Sequence, residues 1–232
     1  MNIKYLLNLC LLLSLALPHT AHADFIIGID FPLAQEPSQF SSSFIPMTMG
    51  WDFTPVSQIQ VTSLGLYDYK VFNGVSPGLA TSHEIGIWNA SSPGSPLAQI
   101  TVPAGETAEF VLDGFRSGWR FTDLNVPLTL DAGTKYVVGA FYPNVTSPTD
   151  ATSDFVAIDS RFVAAPELGV GSNLRANFNN GAFSMPSDRG TTLNQYGPNL
   201  RFQVVAVPEP SSLILSAVAA IGLIRLRNRK IY

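Results

Sequence analysis

His83 is the only histidine downstream of residue 23, so it is the one imidazole available there for proton transfer. A single histidine cannot build a multi-histidine metal site, and it leaves one candidate base for a Ser-His-Asp triad. The G-x-S-x-G spelling Gly74-Val75-Ser76-Pro77-Gly78 falls on a Ser-Pro-Gly turn signal and not at a strand-to-helix elbow. His83 is therefore expected to be a strand residue, packed or hydrogen-bonded beside Glu84. Glu106 and Glu109 lie three apart near a turn, whereas a glycosidase needs two carboxylates about 5 to 10 Å apart across a cleft. No catalytic residue is assigned. Asp150, Asp154 and Asp159 offer oxygen ligands, but the D-x-D-x-D-G calcium loop is missing, and a solvated acidic loop is the simpler expectation. No cofactor is assigned, and a structural Ca²⁺ is held only as a minor alternative. Trp51, Trp88 and Trp119, with Tyr67, Tyr69, Tyr136 and Tyr142, have the chemistry of a sugar-stacking platform. Core packing is the leading expectation for them. Trp88 is the candidate glycan contact, because alternation places it on the face opposite Ile85 and Ile87. Asn89-Ala90-Ser91 and Asn144-Val145-Thr146 match glycosylation acceptors and are read as turns.

The elements that must hold these residues are strands. Charged residues are 13% of the 232, against 46% hydrophobic, with 18 Gly and 17 Pro. That composition excludes disorder, coiled coils and long charged helices. Between Asp24 and Val207 there are 8 basic and 16 acidic residues, a net of 8 − 16 = −8, so no nucleic-acid partner is expected. Ile59 and Val61 alternate with polar residues, then Leu64 and Leu66 resume after a phase slip at Thr62-Ser63 that predicts a bulge. His83, Ile85 and Ile87 share one face. Lys135 to Tyr142 is apolar on both faces after the lysine and reads as a central strand. Further strands are expected at 25–30, 50–53, 97–102, 120–124, 128–130, 154–159 and 199–206. Turn signals separate them, among them Ser76-Pro77-Gly78, Pro103-Ala104-Gly105, Asp131-Ala132-Gly133 and Gly197-Pro198. The fold class is all-β, an antiparallel β-sandwich of jelly-roll kind, in one domain over 24–206.

Both ends differ from this body. Lys4, the apolar stretch 5–17, the breaker Pro18 and Ala21-His22-Ala23 form a signal peptide over 1–23, with a signal helix and cleavage between Ala23 and Asp24. Cys10 leaves with it, so no disulfide or thiol chemistry is available to the mature chain. At the other end, residues 207–210 read Val207-Pro208-Glu209-Pro210. Fourteen uncharged residues follow, 211–224, and then the basic tail 225–232 with Arg225, Arg227, Arg229 and Lys230. Fourteen helical residues reach about 21 Å, short of the ~30 Å hydrocarbon core, so Arg225 must snorkel. The basic cluster acts as a membrane stop, held on the cytoplasmic side with everything before Ser211 outside.

Residues 207–232 resemble a PEP-CTERM sorting domain, through the Pro208-Glu209-Pro210 triplet, Ser211-Ser212, the small residues Ala217, Ala219, Ala220 and Gly222, and the arginine-rich end. The resemblance implies a Gram-negative host that makes exopolysaccharide, and exosortase, a membrane cysteine transpeptidase, as partner. It also implies a cell-surface or extracellular-matrix destination after processing, while the signal peptide is expected to direct export by the Sec machinery and residues 211–224 to anchor the chain in the inner membrane as one transmembrane helix. The runs 53–55, 61–65, 78–88 and 132–139 resemble an uncharacterised β-sandwich domain of exported bacterial proteins, which carries over no site residues. The expected function is a non-enzymatic surface or exopolysaccharide-matrix protein. The alternatives are a carbohydrate-binding module and, more distantly, an exported glycan hydrolase.

Overall fold

The computed structural model describes residues 24–31, 39–41, 46–68, 78–113, 117–143, 154, 156–158, 162–175, 182–189 and 195–205. The expected signal helix and transmembrane helix lie outside these residues. Within them the protein is all-β and its sheets are antiparallel. In chain order the strands are β1 (Ile26–Ile27), β2 (Ile29–Asp30), β3 (Gln39–Ser41), β4 (Met47–Pro55), β5 (Ile59–Asp68), β6 (His83–Asn89), β7 (Ala98–Val102) and β8 (Glu109–Asp113). They continue with β9 (Ser117–Leu130), β10 (Tyr136–Tyr142), β11 (Val156–Ile158), β12 (Val163–Ala164), β13 (Leu168–Arg175), β14 (Asp188–Arg189), β15 (Gln195–Tyr196) and β16 (Pro198–Val204).

Two sheets carry the core. One has the order β1-β16-β5-β9-β8 and the other β14-β13-β4-β10-β6-β7. A single apolar cluster draws on both, with Ile59, Val61, Leu64, Leu66, Leu200 and Phe202 from the first and Met49, Trp51, Phe53, Ile85, Ile87, Val138 and Ala140 from the second. The Trp51 indole ties the sheets directly, donating to the Pro198 carbonyl at 2.8 Å. Polar residues between the apolar ones face outward, as period-2 alternation requires. The strand from Tyr136 is central, paired with β4 on one side and β6 on the other, which accounts for its apolar residues on both faces.

The slip at Thr62-Ser63 is a bulge. Val61 pairs with Leu128 and Ser63 with Asp123, so one residue of β5 faces the four residues 124–127 of β9. Against β16 the same residue is skipped between Phe202 and Arg201. The strands expected at 120–124 and 128–130 are therefore one strand with a protruding elbow, and Pro127 sits where a strand tolerates proline. The strand expected at 25–30 is broken at Gly28, whose N–H turns to the Leu200 carbonyl at 2.8 Å. Gly78, Gly105 and Gly133 have φ of 81°, 77° and 73°, the left-handed region that favours glycine, at three of the expected turns.

Candidate functional site

The first residue of β6 is a buried polar group held by two other parts of the chain. His83 lies on the inner face with Ile85 and Ile87 and is 1% exposed. Its Nδ1 is 2.9 Å from the Phe141 carbonyl of β10, and its Nε2 is 2.8 Å from an oxygen of Asp154. Both ring nitrogens are thus engaged by groups of the protein itself. Asp154 also accepts the backbone N–H groups of Ala80 at 2.7 Å and Thr81 at 2.9 Å, and the Thr81 hydroxyl at 3.4 Å. One carboxylate thus fixes the loop before β6 and the ring at its start.

This arrangement is a clamp in chemical terms. A general base needs a nitrogen whose lone pair faces a substrate, and a triad histidine sits between an acid and a nucleophile. Here the position opposite the acid is taken by a main-chain carbonyl, and the ring is sealed from solvent. His83 is, as expected, a packed and hydrogen-bonded strand residue, and its neighbour Glu84 lies on the opposite face, where it accepts from Gln99 at 2.9 Å. The partner is Asp154, 71 residues away, and no local spacing announced it. Asp154 in turn is engaged rather than solvated. Asp150 and Asp159 lie outside the described residues. Among the described residues no group of three or more His, Cys, Asp or Glu is placed to hold a metal ion.

Tyr142 closes the clamp from the side, its ring edge-on to His83 with centroids 5.0 Å apart. Its hydroxyl is buried without a hydrogen-bond partner among the described residues. Burial first, and then the negative charge of Asp154, hold the phenol protonated well above its ordinary range. The folded state therefore keeps its proton where the unfolded chain, titrating near pH 10, loses it. This contribution to stability is present below that range and falls away as pH rises through it. Tyr142→Phe is expected to flatten the alkaline loss of stability and to raise stability at neutral pH by up to about 1 kcal/mol, since an orphan hydroxyl is removed. Urea titrations from neutral to alkaline pH check this, and a Tyr142→Phe protein that loses stability as steeply as the parent would contradict it.

Two further ion pairs lie on the first sheet. Arg120 of β9 donates from Nε to Asp68 at 2.6 Å and from Nη1 to the Ala108 carbonyl at 3.1 Å, with Phe110 under its guanidinium. Arg201 of β16 reaches across the sheet to hold Glu109 of β8 through both carboxylate oxygens, at 2.8 and 3.1 Å, while covering the Phe121 ring. Glu109 is thus committed to an arginine, while Glu106 is exposed.

The glycan contact assigned to Trp88 is corrected by its burial. Trp88 does face away from Ile85 and Ile87, but the segment 182–187 crosses that outer face and leaves it 1% exposed. Phe183 packs on the indole at 5.1 Å, Pro186 lies over Gly139, and the Ser184 N–H reaches the Thr48 hydroxyl at 3.2 Å. Gly86, Gly139 and Gly50 stand side by side in the register of β6, β10 and β4, which gives the crossing segment a floor without side chains. Trp51, Trp119, Tyr67, Tyr136 and Tyr142 are buried as well, in line with core packing, and Tyr69 lies outside the described residues. Asn89 closes a turn by accepting from the Ser91 N–H at 2.9 Å and hydroxyl at 2.7 Å. Asn144 lies outside the described residues.

The described body is thus an antiparallel β protein whose last strand ends at Val204, directly before the Pro208-Glu209-Pro210 segment. Residues 206–230 match the PEP-CTERM protein-sorting motif, within one residue of the start expected at Val207. The chain is accordingly a PEP-CTERM-bearing exosortase substrate, exported as a membrane-anchored precursor. No curated protein matches the chain. The motif residues Pro208, Glu209 and Pro210, the basic cluster Arg225, Arg227, Arg229 and Lys230, and the cleavage residue Ala23 lie outside the described residues. Asp24 lies inside them and is exposed.

Proposed function

We propose that this is a non-catalytic surface or exopolysaccharide-matrix protein: a β-sandwich of jelly-roll kind, delivered by a Sec signal peptide and released or transferred at its tail by exosortase. The match of residues 206–230 to the sorting motif carries the proposal. The body supports a structural role through its interior. Its one histidine and the partner carboxylate are engaged with each other and with main chain, and the tryptophans that would serve a lectin are covered. A structural protein therefore ranks above a carbohydrate-binding module, and above a hydrolase. Pro208, Glu209 and Pro210 present the chain at the membrane face, and the basic cluster holds the apolar span in place.

The test is fractionation of the host carrying a chain with Pro208, Glu209 and Pro210 replaced by alanine. The parent chain is expected to reach the surface or medium in shortened form. The variant is expected to remain full-length in the inner membrane, with near-complete loss of the shortened form. Equal processing of the two would remove exosortase sorting through this triplet. Cosedimentation of the released protein with the host's exopolysaccharide, with and without Ca²⁺, then separates a matrix component from one that only transits the surface.

A further inference from the structure

We propose that, in the anchored precursor, one defined end of the β body is held against the headgroup layer of the bilayer: the end built from the β4–β5 loop, the β9–β10 turn and the start of the mature chain. The inference rests on the reading that residues 211–224 sit in the membrane, and adds which surface of the body faces it.

Three observations place that end. The last strand runs toward it, and the chain stays fixed one residue further, where the Val205 N–H meets the Gln58 carbonyl at 2.9 Å. Six residue steps separate Val205 from Ser211, where the uncharged span begins. However those steps are arranged, they cannot extend beyond about 22 Å. Second, β1 pairs antiparallel with β16, Ile26 opposite Phe202 and Ile27 opposite Arg201, so the mature chain starts at the same end. The leader expected over 1–23 and the sorting tail therefore join the body at neighbouring strands. Third, hydrogen bonds lace this end together. The Gly133 N–H meets the Pro55 carbonyl at 2.9 Å, the Val56 N–H meets Glu167 at 2.8 Å, and the Gln58 amide meets Asp131 at 3.1 Å.

The surface presented is weakly charged and carries apolar tips. Val56 is 70% exposed at the apex of its loop, and Phe25 is 56% exposed beside Arg201. Asp131 and Lys135 oppose each other in sign, and Glu167 with the exposed Asp24 tips the balance to acidic, so anionic lipids do not attract it. The short tether sets the apposition. The far end of the body, with Ser82, Ala104 and the His83 clamp, is one strand length away, about 30 Å for ten residues.

The experiment uses the mature chain from Asp24 to Tyr232, which contains no cysteine, reconstituted in lipid vesicles containing headgroup-nitroxide lipid, with a fluorophore attached at Val56→Cys or at Ala104→Cys. Flotation reads anchoring separately from quenching. The expected result is flotation of both proteins, with strong quenching at position 56 and little at 104. Equal quenching, or stronger quenching at 104, in floating protein overturns the assigned face while leaving the anchor intact. Loss of flotation overturns the anchor and the proposal with it. A flexible insert of about twenty Gly/Ser residues between Val205 and Pro208 should abolish quenching at 56 without loss of flotation, since a coil of that length reaches roughly 25 Å on average and more when stretched. Quenching that survives the insert overturns the tether as its cause.

Discussion

Asp154→Ala is expected to lower the stability of the body by about 3–5 kcal/mol, because it removes the shared acceptor of several buried donors. The carboxylate is 8% exposed and serves the His83 ring and two backbone N–H groups at 2.7 to 2.9 Å. Without it, the ring nitrogen and both amides are left without their acceptor. Each such buried group costs about 1–3 kcal/mol on its own. Asp154→Asn keeps one acceptor oxygen and turns an amide N–H₂ toward donors, so it should fall between parent and alanine variant. The pair term is isolated by a cycle with His83→Phe, which fills the volume and cannot donate. If the clamp acts as one unit, the two single changes overlap, and the double variant costs at least about 1 kcal/mol less than their sum. Denaturation with urea, read at constant slope, supplies all four stabilities. Strict additivity would show that ring and carboxylate act independently.

The period-2 pattern exposed what depended on neighbours in sequence. Alternation placed the His83 face of β6, the central position of the strand ending at Tyr142 and the Thr62-Ser63 bulge, because each is set by which side chains point to the core. Glycine at 78, 105 and 133 marked turns, because the left-handed backbone there disfavours other residues. The misses are pairings over long separations. Leu168–Arg175 forms a full strand against β4, but its Gly-Val-Gly-Ser-Asn run lacks the apolar alternation that reads as a strand. Glu109–Asp113 was overlooked for a similar reason, with charges at both ends and Leu112 exposed on an edge. Trp88 was assigned to the correct face and the wrong environment, because its cover comes from residues 182–187, about a hundred positions away. The tail was the most legible part. Its order of triplet, apolar span and basic end is contiguous and needs no fold to be recognised.

Asp68 and Arg120 provide the other large effect, and it changes sign with the way the pair is removed. Their side chains are 3% and 4% exposed and meet at 2.6 Å inside the apolar cluster, where Arg120 stands opposite Leu66 in the register of β5 and β9. Desolvating two charges is costly, and a pair in this setting recovers that cost only through its geometry. Asp68→Leu alone therefore leaves an arginine whose remaining described contacts are the Ala108 carbonyl and the Phe110 ring, and it should cost about 3–5 kcal/mol. Arg120→Met alone removes the arginine that balances the Asp68 charge, with a loss of the same order. Asp68→Leu combined with Arg120→Met replaces both charges with apolar groups of similar volume, and should return the body to the parent's stability or above it. Guanidinium chloride is unsuitable here because its own charge screens the pair, so urea melts of the four proteins give the comparison. A double variant as unstable as the worse single one would mean that the pair supplies packing or register that Leu and Met cannot replace. Recovery would instead place its value in orienting β8 and β9 at this corner, where Arg120 is the one side chain that reaches Asp68, the Ala108 carbonyl and the Phe110 ring together.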